Sequence, residues 1–123
     1  MAGGNDAIIQ TATYTATVGG GGDPATTAAA AVTAMTTAGT ELATLISTQI
    51  VAKGAKYVVV VNLPNVSLTP YGVLNEAGLA GTQTVIDNMV KALMDSMNGV
   101  VWKDDAQVDE AHVRVFRGCA WVG

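Results

Sequence analysis

The clearest apolar periodicity in the chain runs from residue 24 to residue 53. Asp23-Pro24 supplies a good N-cap residue followed by proline at the first helical position. Lys53-Gly54 supplies a cation for a last helical turn and a glycine just beyond it. Between these signals, apolar residues recur at helical spacing: Val32, Met35, Ala38, Leu42, Leu45, Ile46 and Ile50. We therefore predict a long helix with one apolar face over this stretch.

The next apolar run has no polar alternation and predicts a buried strand. Tyr57-Val58-Val59-Val60-Val61 is a β-branched run, typical of a strand covered on both faces in a parallel sheet. A loop follows as far as Gly72, and a second helix is predicted over about 76–97. The inner stripe of that helix is Val85, Ile86, Met89, Val90, Leu93, Met94 and Met97. Helix, buried strand, loop and helix together predict an α/β domain.

The two ends of the chain give weaker patterns. Residues 7–18 are rich in Thr and partly alternating, so they suit a strand on propensity and a helix or coil almost equally well. The glycine run at 19–22 is a break that would leave residues 1–22 flexible, with the fold beginning at Asp23. Short strands are predicted at 100–102 and 108–117.

Composition narrows the classes of function. The chain has 123 residues, enough for one domain, and is 50% hydrophobic but only 13% charged, so self-association is expected. Its net charge of −4 provides no basic stripe, which argues against a nucleic-acid partner. No uninterrupted apolar run suggests a membrane span, and no basic flank suggests a signal peptide. Cys119 is the only cysteine and His112 the only histidine, which excludes an internal disulfide and the common zinc patterns. No metal or other cofactor is therefore predicted, although a metal site built from carboxylates alone stays open.

Two segments carry candidate chemistry. Gly3-Gly4-Asn5-Asp6 combines glycines that let a ligand approach the backbone with an uncharged hydrogen-bond donor, which are components of an oxyanion hole. A polar turn is the alternative interpretation. The loop Asn62-Leu63-Pro64-Asn65 follows the predicted strand, where ligands bind in open α/β sheets, although an ordinary connection has the same composition. Gly3, Gly4, Asn62, Pro64 and Asn65 are accordingly candidate substrate contacts.

In this order, the segments resemble the SGNH (GDSL-type) hydrolases, in particular the lipase and esterase branch that includes autotransporter esterases. Gly3-Gly4-Asn5-Asp6 is similar to the third conserved block of that family. The stretch from Lys53 to Asn65, with Leu68-Thr69-Pro70, is similar to the segment that follows it, and Asn88 and Leu93 to its next helix. The resemblance covers residues 3–97.

The resemblance implies a flavodoxin-like three-layer α/β/α sandwich with a mainly parallel sheet, and ester hydrolysis by a Ser-His-Asp constellation. Asn5 would be the oxyanion donor and Gly3 would shape the turn before it. The family block that holds the nucleophilic serine has no counterpart here, and Ser47, Ser67 and Ser96 lie in no nucleophile-like context. Residues 1–123 would then form one truncated domain with a divergent tail at 100–123. Dimerisation would complete the sheet of this domain.

The tail holds the remaining candidate residues. Asp109 and His112 have the three-residue spacing of the family's last block, which implies His112 as general base and Asp109 as the residue that orients it. Val113-Arg114 replaces the usual Pro-Thr, and a chance pair is the alternative. Cys119, seven residues from His112, is a candidate nucleophile or simply a small core hydrophobe.

Two hypotheses follow. The first is a reduced SGNH-type hydrolase of small esters in which activated water, Cys119 or Ser67 replaces the missing serine. The second is a catalytically silent fragment of such an enzyme that folds by self-association, as a homodimer. Localisation is left unassigned, although full-length members of the resembled branch are often secreted or autotransported.

Overall fold

The structure is a computed structural model that describes residues 3–61 and 63–97, and this part of the chain is helical. Helix α1 spans Gly4–Gly19 and α2 spans Pro24–Leu45, continued by a π-helical segment at Ile46–Val51. After an extended stretch comes a short 3-10 turn at Val66–Leu68, then α3 at Pro70–Gly78 and α4 at Thr82–Met97. Residues 3–61 and 63–97 contain no strand.

The Thr-rich segment at 7–18 is helical, and several of its hydroxyl groups donate to carbonyls within the helix. Thr11 donates a hydrogen bond to the Ala7 carbonyl at 2.7 Å, and Thr13 donates to the Ile9 carbonyl at 2.9 Å. The same bond to the carbonyl four residues back repeats along α2 at Thr33, Thr36, Thr37, Thr40 and Thr44. These bonds satisfy the hydroxyl groups but do not themselves favour a helix. The burial of Ala7, Thr11 and Tyr14, which lie on one helical face, stabilises α1 against the core. Of the two interpretations of this segment, the helical one is confirmed.

The glycine run forms a hydrogen-bonded turn between α1 and α2. Gly22 donates to the Thr17 carbonyl at 2.8 Å and Gly21 donates to the Val18 carbonyl at 3.0 Å, which is the Schellman pattern. Gly21 has φ +97°, a conformation that a residue with a side chain rarely adopts. The turn closes α1 and directs the chain into α2.

Helix α2 begins where the sequence predicts. Asp23 is its N-cap and accepts a hydrogen bond from the Thr26 amide at 2.8 Å, with Pro24 at the first position. The π-helical continuation ends in a second Schellman turn, in which Gly54 has φ +98° and Ala55 donates to the Ile50 carbonyl at 3.3 Å. Both predicted helix signals are confirmed.

The predicted strand at 57–61 is wrong. Tyr57 is 93% exposed and Val59 is 77% exposed, so the segment is not covered on both faces. Only Val60 packs inward, against the cluster of Ala43, Ile46 and Met97. A strand needs a hydrogen-bonding neighbour, and the described part of the chain provides none. The prediction of an α/β flavodoxin-like sandwich with a parallel sheet is therefore wrong, and the described fold is all-α.

The core lies mainly between α2 and α4, with α1 packed against both. Met35, Ile86 and Met89 are fully buried at its centre. The predicted inner stripe of α4 is confirmed at its buried positions, Val85, Ile86, Met89, Leu93 and Met97. The helix predicted over about 76–97 is divided, since α3 ends at Gly78 and α4 starts at Thr82.

Helices α2 and α4 are in close contact at Gly39. A methyl group at this position would overlap the Leu93 carbonyl and the Ser96 side chain. Glycine is therefore required by the close contact of the two backbones. Gly39 therefore lets the apolar face of α4 lie close against α2.

Among the described residues, one helix, Pro24–Val51, is long and apolar enough to cross a membrane by length and composition. The sequence predicts no membrane span, because no uninterrupted apolar run is long enough. Helix Pro24–Val51 is apolar on average, although polar residues interrupt its apolar ones. The core helix of a soluble protein and a signal sequence near the N-terminus pass the same test, and 28% of this apolar window is buried.

Candidate functional site

The Gly3-Gly4-Asn5-Asp6 segment forms the start of α1. Gly3 is its N-cap with φ +93°, and Asn5 is exposed in the first turn. A side-chain atom at Gly3 would meet the Leu93 side chain, and one at Gly4 would meet Leu63. The two glycines therefore let the start of α1 lie close to apolar side chains of the core.

Some of the other predicted site residues lie among the residues that the structure describes, and some do not. Pro64 and Asn65 lie in the exposed stretch before α3, and the buried Leu63 anchors this stretch beside Gly3 and Gly4. Asn62, Asp109, His112 and Cys119 lie outside the described residues. The catalytic roles of Asn5, Asp109, His112 and Cys119 stay predictions. So do the substrate contacts predicted for the remaining residues: Gly3, Gly4, Asn62, Pro64 and Asn65.

A polar cluster that the sequence patterns did not predict joins this stretch to α4. Ser67 is 1% exposed, and its Oγ lies 2.8 Å from Asp87 Oδ1 and 2.6 Å from the side-chain oxygen of Asn65. We call Asn65, Ser67 and Asp87 the Ser67 cluster. Because Asn65 and Asp87 are both exposed, the cluster has a buried centre and a solvent-facing rim.

The Ser67 hydroxyl has two possible acceptors within the Ser67 cluster. It can donate to the side-chain oxygen of Asn65 at 2.6 Å or to Asp87 Oδ1 at 2.8 Å. A serine hydroxyl has a single proton, so it donates to one of the two at a time. The Ser67 cluster therefore joins the stretch before α3 to α4 through one buried hydroxyl.

The position of Ser67 is fixed by its backbone. Gln83 Nε2 donates a hydrogen bond to the Ser67 carbonyl at 2.8 Å. Gly72 lies so close that a methyl group there would overlap the same carbonyl. Thr69 donates to the Val66 carbonyl at 2.6 Å and caps the start of α3 by accepting from the Gly72 amide. The 3-10 turn that carries Ser67 is thus held by both α3 and α4.

A second carboxylate orders the beginning of α4. Glu76 accepts hydrogen bonds from the Gln83 amide at 2.8 Å and the Gly81 amide at 2.9 Å. These amides are among the donors that have no partner inside the helix. The bond from Gln83, followed by that from Gly81, holds the pKa of Glu76 below its ordinary value. Gln83 therefore connects the capped helix start to the Ser67 cluster.

The outer face of α4 presents a line of polar side chains. Asp87, Lys91 and Asp95 are exposed and four residues apart, so they lie on one face of the helix, with Asn88 beside Asp87. Asp87 and Asp95 are about 12 Å apart along the helix axis. Residues 3–61 and 63–97 hold no group of three metal-binding side chains, so the described part of this face offers separate carboxylates.

Comparison with known families gives one match. Residues 73–120 match a family described as Endodeoxyribonuclease RusA. The match covers less than half of the chain, takes in most of α3 and all of α4, and continues beyond the described residues. No curated protein and no solved structure matches the chain.

These findings overturn the SGNH resemblance. Its blocks require a parallel sheet that positions an oxyanion loop, whereas the first block forms a helix start and the described residues contain no sheet. The predicted ester hydrolase and its alternative, a silent self-associating SGNH fragment, are both wrong, because the matched family cuts DNA. For the same reason, the predicted ester substrate and the exclusion of a nucleic-acid partner are wrong.

The signal that would have located the site is the polar side of α4. This helix entered the prediction only through its inner apolar stripe. The pattern Asp87-Asn88, Lys91, Asp95 lies on the opposite side and within the matched segment. Its contact with Ser67 was not accessible from the sequence, because the two residues are twenty positions apart and meet only through the packing of the 3-10 turn on α4.

Proposed function

We propose that the chain hydrolyses phosphodiester bonds in DNA as an endodeoxyribonuclease. The observation that carries this proposal is the match of residues 73–120 to the RusA endodeoxyribonuclease family. The exposed polar face of α4 supports it, since Asp87, Lys91 and Asp95 are the kinds of group that phosphodiester hydrolysis uses.

The distribution of carboxylates also supports the proposal. Only Asp6, Asp23 and Glu41 lie outside the matched segment. The other acidic residues lie within it: Glu76, Asp87, Asp95, Asp104, Asp105, Asp109 and Glu110. An acidic segment repels DNA unless a cation lies between them, so the composition favours cleavage that depends on a divalent metal.

Asp87 offers one oxygen ligand of the kind that a hard cation such as Mg²⁺ binds. Mg²⁺ prefers oxygen ligands, keeps several water molecules, and is usually held by only one or two protein carboxylates together with substrate phosphates. The Asp87 carboxylate is exposed, and the Ser67 hydroxyl lies 2.8 Å from its Oδ1. Further carboxylates in this proposal come from the matched segment beyond α4, of which Asp104 and Asp105 are the nearest in sequence.

Two residues of the α4 face have a defined part in the proposed reaction. A bound metal would supply charge that stabilises the phosphate in the transition state and would lower the pKa of bound water. Asp87 would contribute one carboxylate to hold it, and Lys91, one turn further along α4, would contact a phosphate of the DNA backbone. In the hydrolysis, the oxygen of water forms a bond to phosphorus and loses a proton, while the bond from phosphorus to one sugar oxygen breaks and that oxygen gains a proton.

The experiment is a cleavage assay on single-stranded, duplex and four-way-junction DNA with Mg²⁺ or with excess EDTA. We expect metal-dependent cleavage by the wild type. Asp87→Asn keeps the size of the side chain and its ability to accept from Ser67 but removes the charge. Loss of groups around a bound metal costs about 10–100-fold, so loss of the ligand charge is expected to reach at least the upper end of that range.

The matched control is Glu41→Gln, which neutralises an exposed carboxylate on α2 outside the matched segment. It is expected to cleave like the wild type. The proposal fails if the folded wild type cuts none of these DNA substrates with either Mg²⁺ or Mn²⁺. The role of Asp87 fails if Asp87→Asn and Glu41→Gln are equally active.

A further inference from the structure

We infer that residues 100–102 of this chain dock onto an apolar patch at the end of α4. We call this surface the Ile46 patch, and it consists of Leu42, Ala43, Ile46, Ile50, Val60 and Met97. The inference goes beyond the proposed function, because it concerns the packing of the chain and holds whether or not the chain cleaves DNA.

The Ile46 patch is apolar and only partly covered by the described residues. The side chains buried at its floor are Ala43, Ile46 and Met97. Val60 packs against them from the extended stretch and keeps part of its surface exposed. Ile50 lies four residues beyond Ile46, on the same side of the helical segment, and is 43% exposed. An apolar surface that continues outward from a buried cluster indicates a place where a further segment packs.

The chain itself brings an apolar segment to this patch. Met97 belongs to the patch, and residues 100–102 are Val-Val-Trp. Each residue spans at most about 3.3–3.6 Å, so Trp102 can lie as far as about 17 Å from Met97. Ile46 and Ile50 are only about 6 Å apart along the helix axis, so the whole patch is within reach. A short connection costs little closure entropy, which favours this segment over a free partner.

The sequence around residues 100–102 agrees with docking. No charged residue lies between Asp95 and Lys103, so covering the patch with this segment removes no charge from water. The matched family segment, 73–120, contains both α4 and residues 100–102. The match therefore supports one packing unit that continues beyond the end of α4.

Two other outcomes give different expectations. A second copy of the chain would cover the patch only at concentrations that permit association, so the protection of the patch would depend on dilution. If nothing covers the patch, Trp102 would be as accessible to solvent as in the unfolded chain. Ile50 would then be one of the exposed apolar residues that are common on protein surfaces.

The first measurement uses the fluorescence of Trp102 in the full chain. The chain has two tryptophans, and Trp121→Phe leaves Trp102 as the only one. We expect Trp102 in the folded protein to emit at a shorter wavelength, and to be quenched several-fold more slowly by acrylamide, than in the same protein unfolded in urea. Dilution across the micromolar range should change neither value. Equal quenching in the folded and unfolded protein would overturn the inference, and so would protection that is lost on dilution.

The second measurement is a double-mutant cycle between Ile50 and Trp102. Urea unfolding is followed by circular dichroism for Ile50→Ala, Trp102→Ala and the double variant. If the two side chains are in contact, Ile50→Ala costs less when Trp102 is already removed. The difference should be at least about twofold in the unfolding equilibrium constant, the lower end of the range for residues in contact. A purely structural role of Ile50 within its helix would cost the same in both backgrounds.

The matched control is Leu74→Ala, which removes the same number of carbon atoms from a side chain that is 72% exposed on α3. Its effect should be the same with and without Trp102. Additive effects of Ile50→Ala and Trp102→Ala would overturn the inference. If circular dichroism shows that Trp102→Ala is unfolded, Val100→Ala takes its place in the cycle, and additivity with Ile50→Ala then overturns the inference in the same way.

Discussion

Gly39→Ala tests the packing that buries the inner face of α4. At Gly39, a methyl group would overlap both the Leu93 carbonyl and the Ser96 side chain. The Ser96 side chain can rotate away, but the Leu93 carbonyl belongs to the backbone of α4. The two helices must therefore move apart along the contact that holds Met35 and Met89 in the core.

The magnitude follows from two opposing effects. Overpacking a well-packed core costs about 1–3 kcal/mol, and a clash with backbone belongs in the upper part of that range. Alanine is favoured over glycine within a helix by about 1 kcal/mol, which offsets part of the cost. The net loss in the free energy of unfolding is therefore about 1–2 kcal/mol.

The assay is urea unfolding followed by circular dichroism at a helical wavelength. Small proteins have urea m-values of about 1–3 kcal/mol/M, so the midpoint should fall by roughly 1 M. Gly19→Ala is the matched control, because Gly19 is the last residue of α1 and an alanine methyl group there would meet no heavy atom within 4 Å. We expect Gly19→Ala to leave the midpoint unchanged or to raise it slightly.

A double variant separates the contact with the Ser96 side chain from the contact with the Leu93 carbonyl. In Gly39→Ala/Ser96→Ala, the overlap with the serine oxygen is gone and the overlap with the Leu93 carbonyl remains. Recovery should therefore be partial. The packing argument is refuted if Gly39→Ala alone unfolds at the same urea concentration as the wild type, or at a higher one.

Two further predictions address the capped start of α4 and the extended stretch before α3. Hydrogen bonds from Gln83 and Gly81 hold the pKa of Glu76 below its ordinary value. Their stabilising effect is therefore complete above the unfolded-state pKa and is lost as the pH falls through the folded-state pKa. Glu76→Gln should therefore lower the melting temperature at neutral pH and bring it closer to that of the wild type in acid, and a difference that persists unchanged in acid would contradict this account. Val59→Thr should change the free energy of unfolding by no more than about 0.5 kcal/mol, because Val59 is largely exposed, whereas a loss of several kcal/mol in urea unfolding would show that the segment is a buried strand after all.

The helices were predictable where local signals agree. Asp23-Pro24 and Gly54 mark the ends of the long helical segment because capping depends on neighbouring residues alone. The inner stripe of α4 was predictable because its burial follows the helical period. The break between α3 and α4 was not, since it depends on Glu76 accepting from amides five and seven residues ahead.

The errors arose where a local pattern had two possible tertiary outcomes. An apolar run such as Val58-Val59-Val60-Val61 suits a buried strand only if neighbouring strands cover it, and the described residues supply none. Short blocks such as Gly3-Gly4-Asn5-Asp6 carry a function only in the fold that positions them, and here they begin a helix. The resemblance was built on such blocks, so it failed together with the sheet.

The exclusion of nucleic acid failed for an electrostatic reason. A net charge of −4 argues against a protein that binds DNA by neutralising phosphates with Lys and Arg. It does not argue against an enzyme whose carboxylates bind divalent cations, because each bound cation reverses the local charge where the phosphate lies. Asp87 and Asp95 count as repulsive in the sum for the whole chain, yet in the proposed nuclease Asp87 is the residue that brings the phosphate close. Whether a carboxylate repels a phosphate or helps to bind it therefore depends on its position relative to a bound metal. The net charge of the chain contains no information about that position.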